Sequence, residues 1–404
     1  MAISAPIRPN IKFGKVDISE FAPTVYQVDS SADAVYLFDK GNVYYEGNTQ
    51  SFFSLIQERI CRIRLLNKKA FSDVATIEIP LYTPTKESSN DYEKLTLLEA
   101  ATYNLENGKI ETVKVDKASI FKQVSGNWTT MKFTFPNIKE GSIIEFHYKK
   151  VSPRFWDMDD WYFQGAYPRV WSEFHITMPE IFNFTMSRQG YKAIDFDTAV
   201  ATNQYYSILV QNGTQASETI NIQSKAVDRT WGMADVPSLK SENYISTLQN
   251  YISCFNFQIA SIQLPNMPIK NYQRSWSEVA KELLDDESFG KNISASNGFL
   301  SDDLASSVKE KDTLSKLKSI YNYVRDNYTC SKNRGYYQSQ TLRQTWKNKK
   351  GNTADINLLL IAALRNQGFN ADPVLIGTRE TLRPSESYPF MSRFNYIVCK
   401  VNIS

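Results

Sequence analysis

The stretch from Lys349 to Phe369 (KKGNTADINLLLIAALRNQGF) restricts the fold of this chain more than any other. Gly351 and Asn352 interrupt the basic segment before it, Thr353 can cap, and Asp355 falls in the first turn, where the helix dipole favours a negative charge. An apolar run from Ile356 to Leu364 follows, and Gly368 offers the stop. The pattern predicts a short helix, apolar nearly all round and therefore buried within a domain. Its first residues then lie at the edge of a core, over a concentration of backbone N–H donors.

The rest of the chain divides by period. A length of 404 residues suggests two or three domains. Residues 1–35 read as an irregular leader with Pro6, Pro9 and Pro23, and residues 36–265 as a β domain. Ala75, Ile77, Ile79 and Leu81 share one face of an alternating stretch, as do Met131, Phe133 and Phe135, and then Ile144, Phe146 and Tyr148. Arg62–Leu66 is strand-like, whereas Ser51–Glu58 fits helix or strand. Turn signals at Glu106-Asn107-Gly108, Ser125-Gly126-Asn127 and Lys139-Glu140-Gly141 separate such strands, which argues for antiparallel sheets packed as a sandwich. Further strands are expected near Gln204–Leu209, Glu218–Gln223 and Ile252–Gln263, and Pro265, Asn266 and Pro268 mark the border.

Beyond that border, residues 266–404 change to a helical period. Ser275 and Glu278 form a capping box, with Trp276, Val279, Ala280, Leu283 and Leu284 on one stripe. A second helix near Thr313–Tyr328 puts Leu314, Leu317, Tyr321 and Val324 together, and strands follow at Pro373–Gly377 and Phe394–Val401. Helices first, then a sheet with the buried helix laid against it, is an α+β order.

Composition removes several functions. The chain is 42% apolar with 23 Tyr, 23 Phe and 7 Trp, ample for globular cores. Its net charge is +3, and no basic block is long enough to track phosphates, so nucleic acid is not an expected partner. There is no run of eighteen apolar residues for a transmembrane segment, and the first residues lack the charged start and apolar centre of a leader. Composition leaves two compartments open, the cytoplasm or an exported protein whose leader is gone. Cys61, Cys254, Cys330 and Cys399 form no CxxC pair, and with two histidines there is no metal set; no cofactor is implied. The four read as structural thiols, although Cys330, 23 residues before Thr353, can be considered as a displaced nucleophile.

The densest aromatic stretch is Pro153–Phe174, where Trp156, Trp161 and Tyr162 stand beside Asp157, Asp159 and Asp160. The mixture suits recognition of a sugar or peptide. Packing that ties the strands together is the plainer reading and the preferred one.

The motif Gly-Asn-Thr-Ala-Asp, the Leu-rich helix and the following Gly-Phe-Asn-Ala-Asp-Pro-Val-Leu-Ile resemble the nucleophile helix and next strand of the transglutaminase-like superfamily, a papain-like α+β group. Phe394-Asn395-Tyr396-Ile397-Val398 resembles that family's base-carrying strand. The resemblance implies a Cys at position 353 and a His at position 396, and the chain has Thr353 and Tyr396 there. The family's third member, an acid, is expected some fifteen residues past Tyr396, and the sequence stops at Ser404, so a truncated C-terminal domain is expected. From Tyr45 to Ile220 the chain resembles a bacterial β-rich domain of unknown function that precedes transglutaminase-like domains, and Trp231–Lys240 resembles its closing segment.

Two functions follow from the resemblance. The first is a catalytically inactive relative, a pseudoenzyme with relic positions Thr353 and Tyr396. It would be a binding or structural module for a peptide, glycan or another envelope protein, with Asp355, Arg379, Asn395, Trp156, Trp161 and Tyr162 as candidate binding residues. The second is an acyl transferase on peptide amides with Thr353 in place of the Cys. The only histidines, His147 and His175, lie in alternating stretches far upstream, and a threonine with no nearby base is a poor nucleophile, which favours the first. Relatives with this domain order resemble exported proteins, so a periplasmic or cell-surface location is expected, with the cytoplasm as the alternative.

Overall fold

The computed structural model describes the chain except for residues 1–7, 23–24, 50–51, 85–91, 211–216, 241–244, 246, 266, 295–296, 301–303, 305–311, 387 and 404. Pro6, Pro23, Ser51 and Asn266, named above, lie outside the described residues. The chain forms two compact units, Met1–Gln273 and Arg274–Ser404.

The N-terminal unit is strand-rich. Its strands are β1 (Ala34–Gly47), β2 (Phe53–Leu65), β3 (Thr76–Tyr82), β4 (Lys94–Glu106), β5 (Lys109–Lys114), β6 (Phe121–Ser125), β7 (Trp128–Thr134), β8 (Ile143–Ser152), β9 (Trp161–Tyr162), β10 (Arg169–Pro179), β11 (Phe182–Gln189), β12 (Phe196–Val210), β13 (Glu218–Val236), β14 (Cys254–Ile262) and β15 (Lys270–Asn271). Among the described residues, eight of these make one sheet in the order β12-β13-β10-β1-β2-β8-β4-β5. Two smaller sheets are β3-β7-β6 and β11-β14-β15, the latter with β9 against β14. Asn107 and Gly108 have φ of 49° and 75°, the left-handed pair that a two-residue hairpin loop between β4 and β5 requires. The segment near Ser51–Glu58 resolves as strand, paired to β1 from Phe53 onward.

The expectation of purely antiparallel sheets needs correction. β1 runs parallel to β10, with Asn42 opposite His175. More than a hundred residues separate the two strands, so no tight turn imposes the opposite direction.

Odd-numbered residues of β2 face the smaller sheets. Phe53 and Leu55 join a buried cluster with Phe182, Phe255 and Ile259 of the β11–β14 sheet, while Cys61, Ile63 and Leu65 join one with Ile79, Leu81 and Phe133 of the β3–β7 sheet. Between these clusters Asp39, fully buried, binds Arg59 at 2.7 Å and Arg169 at 2.8 Å. A buried carboxylate is tolerable only when paired and hydrogen-bonded, as here. The opposite face is crossed by residues 8–20, tied down by Arg8 to Glu173, Gly14 N–H to Glu145, and Arg62 to Glu20. Trp161 is buried and stacks on Phe174 at 5.5 Å, so it packs rather than recognises; Trp156 and Tyr162 are 39% and 36% exposed.

In the C-terminal unit the described helices of seven or more residues are α1 (Trp276–Asp285), α2 (Thr313–Asn327), α3 (Leu342–Asn348) and α4 (Thr353–Asn366); the strands are β16 (Thr329–Lys332), β17 (Lys350–Asn352), β18 (Asn370–Ile376) and β19 (Tyr396–Asn402). The expected buried helix is α4, in which Leu358, Leu359, Ile361 and Ala363 are wholly enclosed. It packs on the antiparallel β18–β19 pair and on α2 and α3.

The stripes of α1 and α2 differ from expectation. In α2 the buried residues are Ile320 and Val324, whereas Leu314 and Tyr321 are 47% and 49% exposed. Ile320 and Tyr321 each complete a helical period, and only α4 decides which faces inward. In α1, Val279 is buried but Leu284 is not, and Trp276 lies across the segment before β19, its Nε1 donating to the Glu386 carbonyl at 2.9 Å and its ring edge-on to Phe394.

Candidate functional site

The start of α4 is built by its own sequence. Asn352, rather than Thr353, is the cap: its Oδ1 accepts from Asp355 N–H at 2.8 Å, and Asp355 Oδ2 accepts from Asn352 N–H at 2.8 Å. Gly351 is required because a Cβ there would stand 2.5 Å from the Asp355 Cβ. Before it, Lys349 ends α3 in the left-handed region, at φ 52°, and its ammonium lies over Trp346 (4.0 Å) and Tyr328 (4.6 Å), bonding the Tyr323 and Tyr328 hydroxyls. That cage fixes the reversal from which β17 departs.

Parallel pairing of β17 with β16 puts Cys330 opposite Gly351. Thr353 is 2% exposed, and its hydroxyl donates to the Lys332 carbonyl at 3.1 Å. Cys330 is exposed, with its Sγ 3.8 Å from Thr353 Oγ1 and 3.3 Å from the same carbonyl. A hydroxyl that gives its proton to a carbonyl is not being activated by a base.

Tyr396 begins β19 opposite Ile376. The segment after β16 and the residue before β19 are joined by a backbone hydrogen bond: Gly335, three residues past Lys332, donates to the Asn395 carbonyl at 2.7 Å.

The candidate binding residues separate into two kinds. Asp355 is fully buried, and its carboxylate accepts from Ser339 N–H (2.9 Å), Ser339 Oγ (2.6 Å), Gln340 N–H (3.3 Å) and Asn352 N–H. It staples the 337–341 loop to the helix, so its carboxylate is engaged within the chain. Asn395 is likewise occupied, exchanging two bonds with Thr378 at 2.9 and 2.8 Å. Trp161 is a core residue, as described above. Arg379, Trp156 and Tyr162 are exposed or near it, Arg379 in the turn after β18 and the two aromatics in the other unit.

Both histidines belong to the N-terminal unit, so the C-terminal unit has no imidazole. Nearby thiol chemistry is uneven: burial pushes Cys399, on β19, up to about 11, with Asp372 adding to the effect. From the sequence alone Cys330 reads first as a structural thiol, 23 residues before Thr353. The signal that could have placed it was Thr329-Cys330-Ser331-Lys332, a short extended run directly after a helix, able to pair with the equally short run before α4.

α4 is thus a capped, buried helix that starts beside Cys330 and packs on the β18–β19 pair. Residues 302–385 match the model of the transglutaminase-like superfamily, and residues 60–240 match a domain of unknown function with a solved structure (DUF3857). The chain thus carries a DUF3857 region followed by a transglutaminase-like domain. No curated protein matches it. Among solved structures, a "putative protease" from Parabacteroides distasonis ATCC 8503 is similar over 92% of this chain, at 12% identity and a TM-score of 0.57. This chain spans 65% of the length of that structure, and at this identity the likeness concerns the fold alone. An M1 zinc metallopeptidase from Deinococcus radiodurans matches 65% of this chain and 55% of its own, at 8% identity and a TM-score of 0.23.

Proposed function

We propose that the transglutaminase-like domain of this chain is catalytically inactive and serves as a binding or structural module for a peptide, glycan or partner protein, outside the cytoplasm. On this reading the three sheets of the N-terminal unit are a β-sandwich that contributes surface. One observation carries the proposal. The residue at the nucleophile position is an enclosed threonine whose proton is held by the Lys332 carbonyl, in a unit without a histidine. Such a hydroxyl does not reach the nucleophilicity of a thiolate.

A second reading is favoured by Cys330, whose exposed thiol stands beside Thr353 near the start of α4. There it could substitute for the missing nucleophile in acyl transfer to or from a peptide amide. Amine incorporation and peptide hydrolysis by the unmodified protein, with Thr353→Ala and Cys330→Ser as controls, separate the two. The inactive reading expects no turnover above buffer. Turnover that one of the controls abolishes overturns it, and that control names the nucleophile.

A further inference from the structure

The polar face of the large sheet holds a cavity of about 460 Å³ under the crossing segment, lined by Arg8 and Lys12 from that segment and by Lys40, Glu58, His147 and His175 from four adjacent strands. We propose that it binds a small, multiply charged organic anion. The volume falls in the range of small-molecule sites.

The charges around the cavity do not cancel. Arg8 clamps the fully buried Glu173 with Nε and an Nη, each at 2.7 Å, and Lys40 lies 3.2 Å from the same carboxylate, so two cations share one anion. Glu58 is matched by Lys149 at 3.7 Å and receives bonds from Asn42 and Tyr44. Among the described residues the Lys12 ammonium has no ion-pair partner. Three cations, Arg8, Lys12 and Lys40, thus face the cavity against Glu58 and the buried Glu173, an excess of about one positive charge with both imidazoles neutral, and in a concave site like charges repel unless an anion enters. Burial lowers the pKa of His175, Lys40 and Arg8 lower it further, and Asp228 and Glu173 oppose them. A bound anion would oppose the lowering too.

Spacing defines the ligand further. His175 stands on β10 and His147 on β8, with β1 and β2 between them, so three strand spacings, about 14 Å, separate them. One metal ion cannot take both. An anion seated between them changes the field at both.

Because the chain has only two histidines, its imidazole proton resonances report on this cavity alone. The full chain is titrated at pH 7 and fixed chloride with inorganic phosphate, pyrophosphate and citrate. Both imidazoles should shift together to saturation with pyrophosphate or citrate, and whichever of the two binds more tightly identifies a phosphoryl or a carboxylate ligand. Inorganic phosphate, which carries less charge, should bind about tenfold more weakly. Lys12→Met, which removes an exposed side chain without an ion pair, and Lys40→Met should each weaken binding about tenfold. Shifts that stay linear to about 10 mM, that reach only one histidine, or that saturate equally in both variants overturn the proposal.

Discussion

The Sγ of Cys330 lies 3.8 Å from the Oγ1 of Thr353, although 23 residues separate them. The contact exists because β16 and β17 pair in parallel with Cys330 opposite Gly351, two residues before the start of α4. From it follows an ordering of the four thiols. Cys61 and Cys254 are enclosed, and burial drives Cys61 well above the usual thiol range. Cys399 is half-buried and raised to about 11. A thiol-directed reagent at pH 8 should therefore modify Cys330 first, with Cys399 slower and the other two only on unfolding. Peptide mapping of the labelled protein checks this; fast labelling of Cys61 would contradict the packing of β2.

Thr353→Cys places a second sulfur beside the first. Under mild oxidation this variant should form a disulfide with Cys330, since the present heavy-atom gap closes with small side-chain rotations. Loss of both free thiols, prevented by adding Cys330→Ser, is the expected result. Without oxidant, the same variant should give no amide turnover, because no imidazole stands in this unit.

Gly351 and Asp355 should behave as one unit. Asp355→Ala leaves the N–H groups of Ser339, Gln340 and Asn352 without an acceptor, and about 3 kcal/mol of stability should be lost. Gly351→Ala alone drives a methyl into the Asp355 Cβ and should cost about 2 kcal/mol. In the double variant the clash is relieved, so the loss should fall below the sum of the single losses, as urea titrations of the three proteins will report.

Asp29 supplies a pH dependence. Its carboxylate accepts from Lys240 and from the Ser238 and Ser31 hydroxyls, which hold its pKa far below the ordinary carboxylate range. A depressed acid stabilises the fold above its unfolded pKa, near 3.9, and loses that contribution as pH falls toward the folded value. Asp29→Asn should lower stability by about 1 kcal/mol at pH 7. The gap from the parent should shrink progressively below pH 4 in acid-denaturation curves; a gap constant down to pH 2 would contradict this account.

The buried helix was legible because its signals are local: Asp355 in the first turn, then nine largely apolar positions, then Gly368, although the cap is Asn352 and not Thr353. Alternation likewise disclosed β3, β7 and β8, and Ser275 with Glu278 disclosed the start of α1. What escaped was set by tertiary partners. Asp355 read as a first-turn acid, and only the return of Ser339 over the helix turns it into a buried staple. The inward face of α2 was ambiguous between Ile320 and Tyr321 until α4 packed against it. The parallel β1–β10 pair left no mark, since strand direction across a long connection is decided by which edge is free.

That parallel pair also governs how the protein must be made. β1 is complete at Gly47 and gains β2 at once, but its other edge waits for Arg169, more than a hundred residues later. At ribosomal speeds this interval is on the order of ten seconds. Throughout it a fourteen-residue strand presents unpaired backbone groups, and Asp39 lacks one of its two arginines. Any chain ended between Ser152 and Arg169 therefore carries the interior of a sheet on its outside.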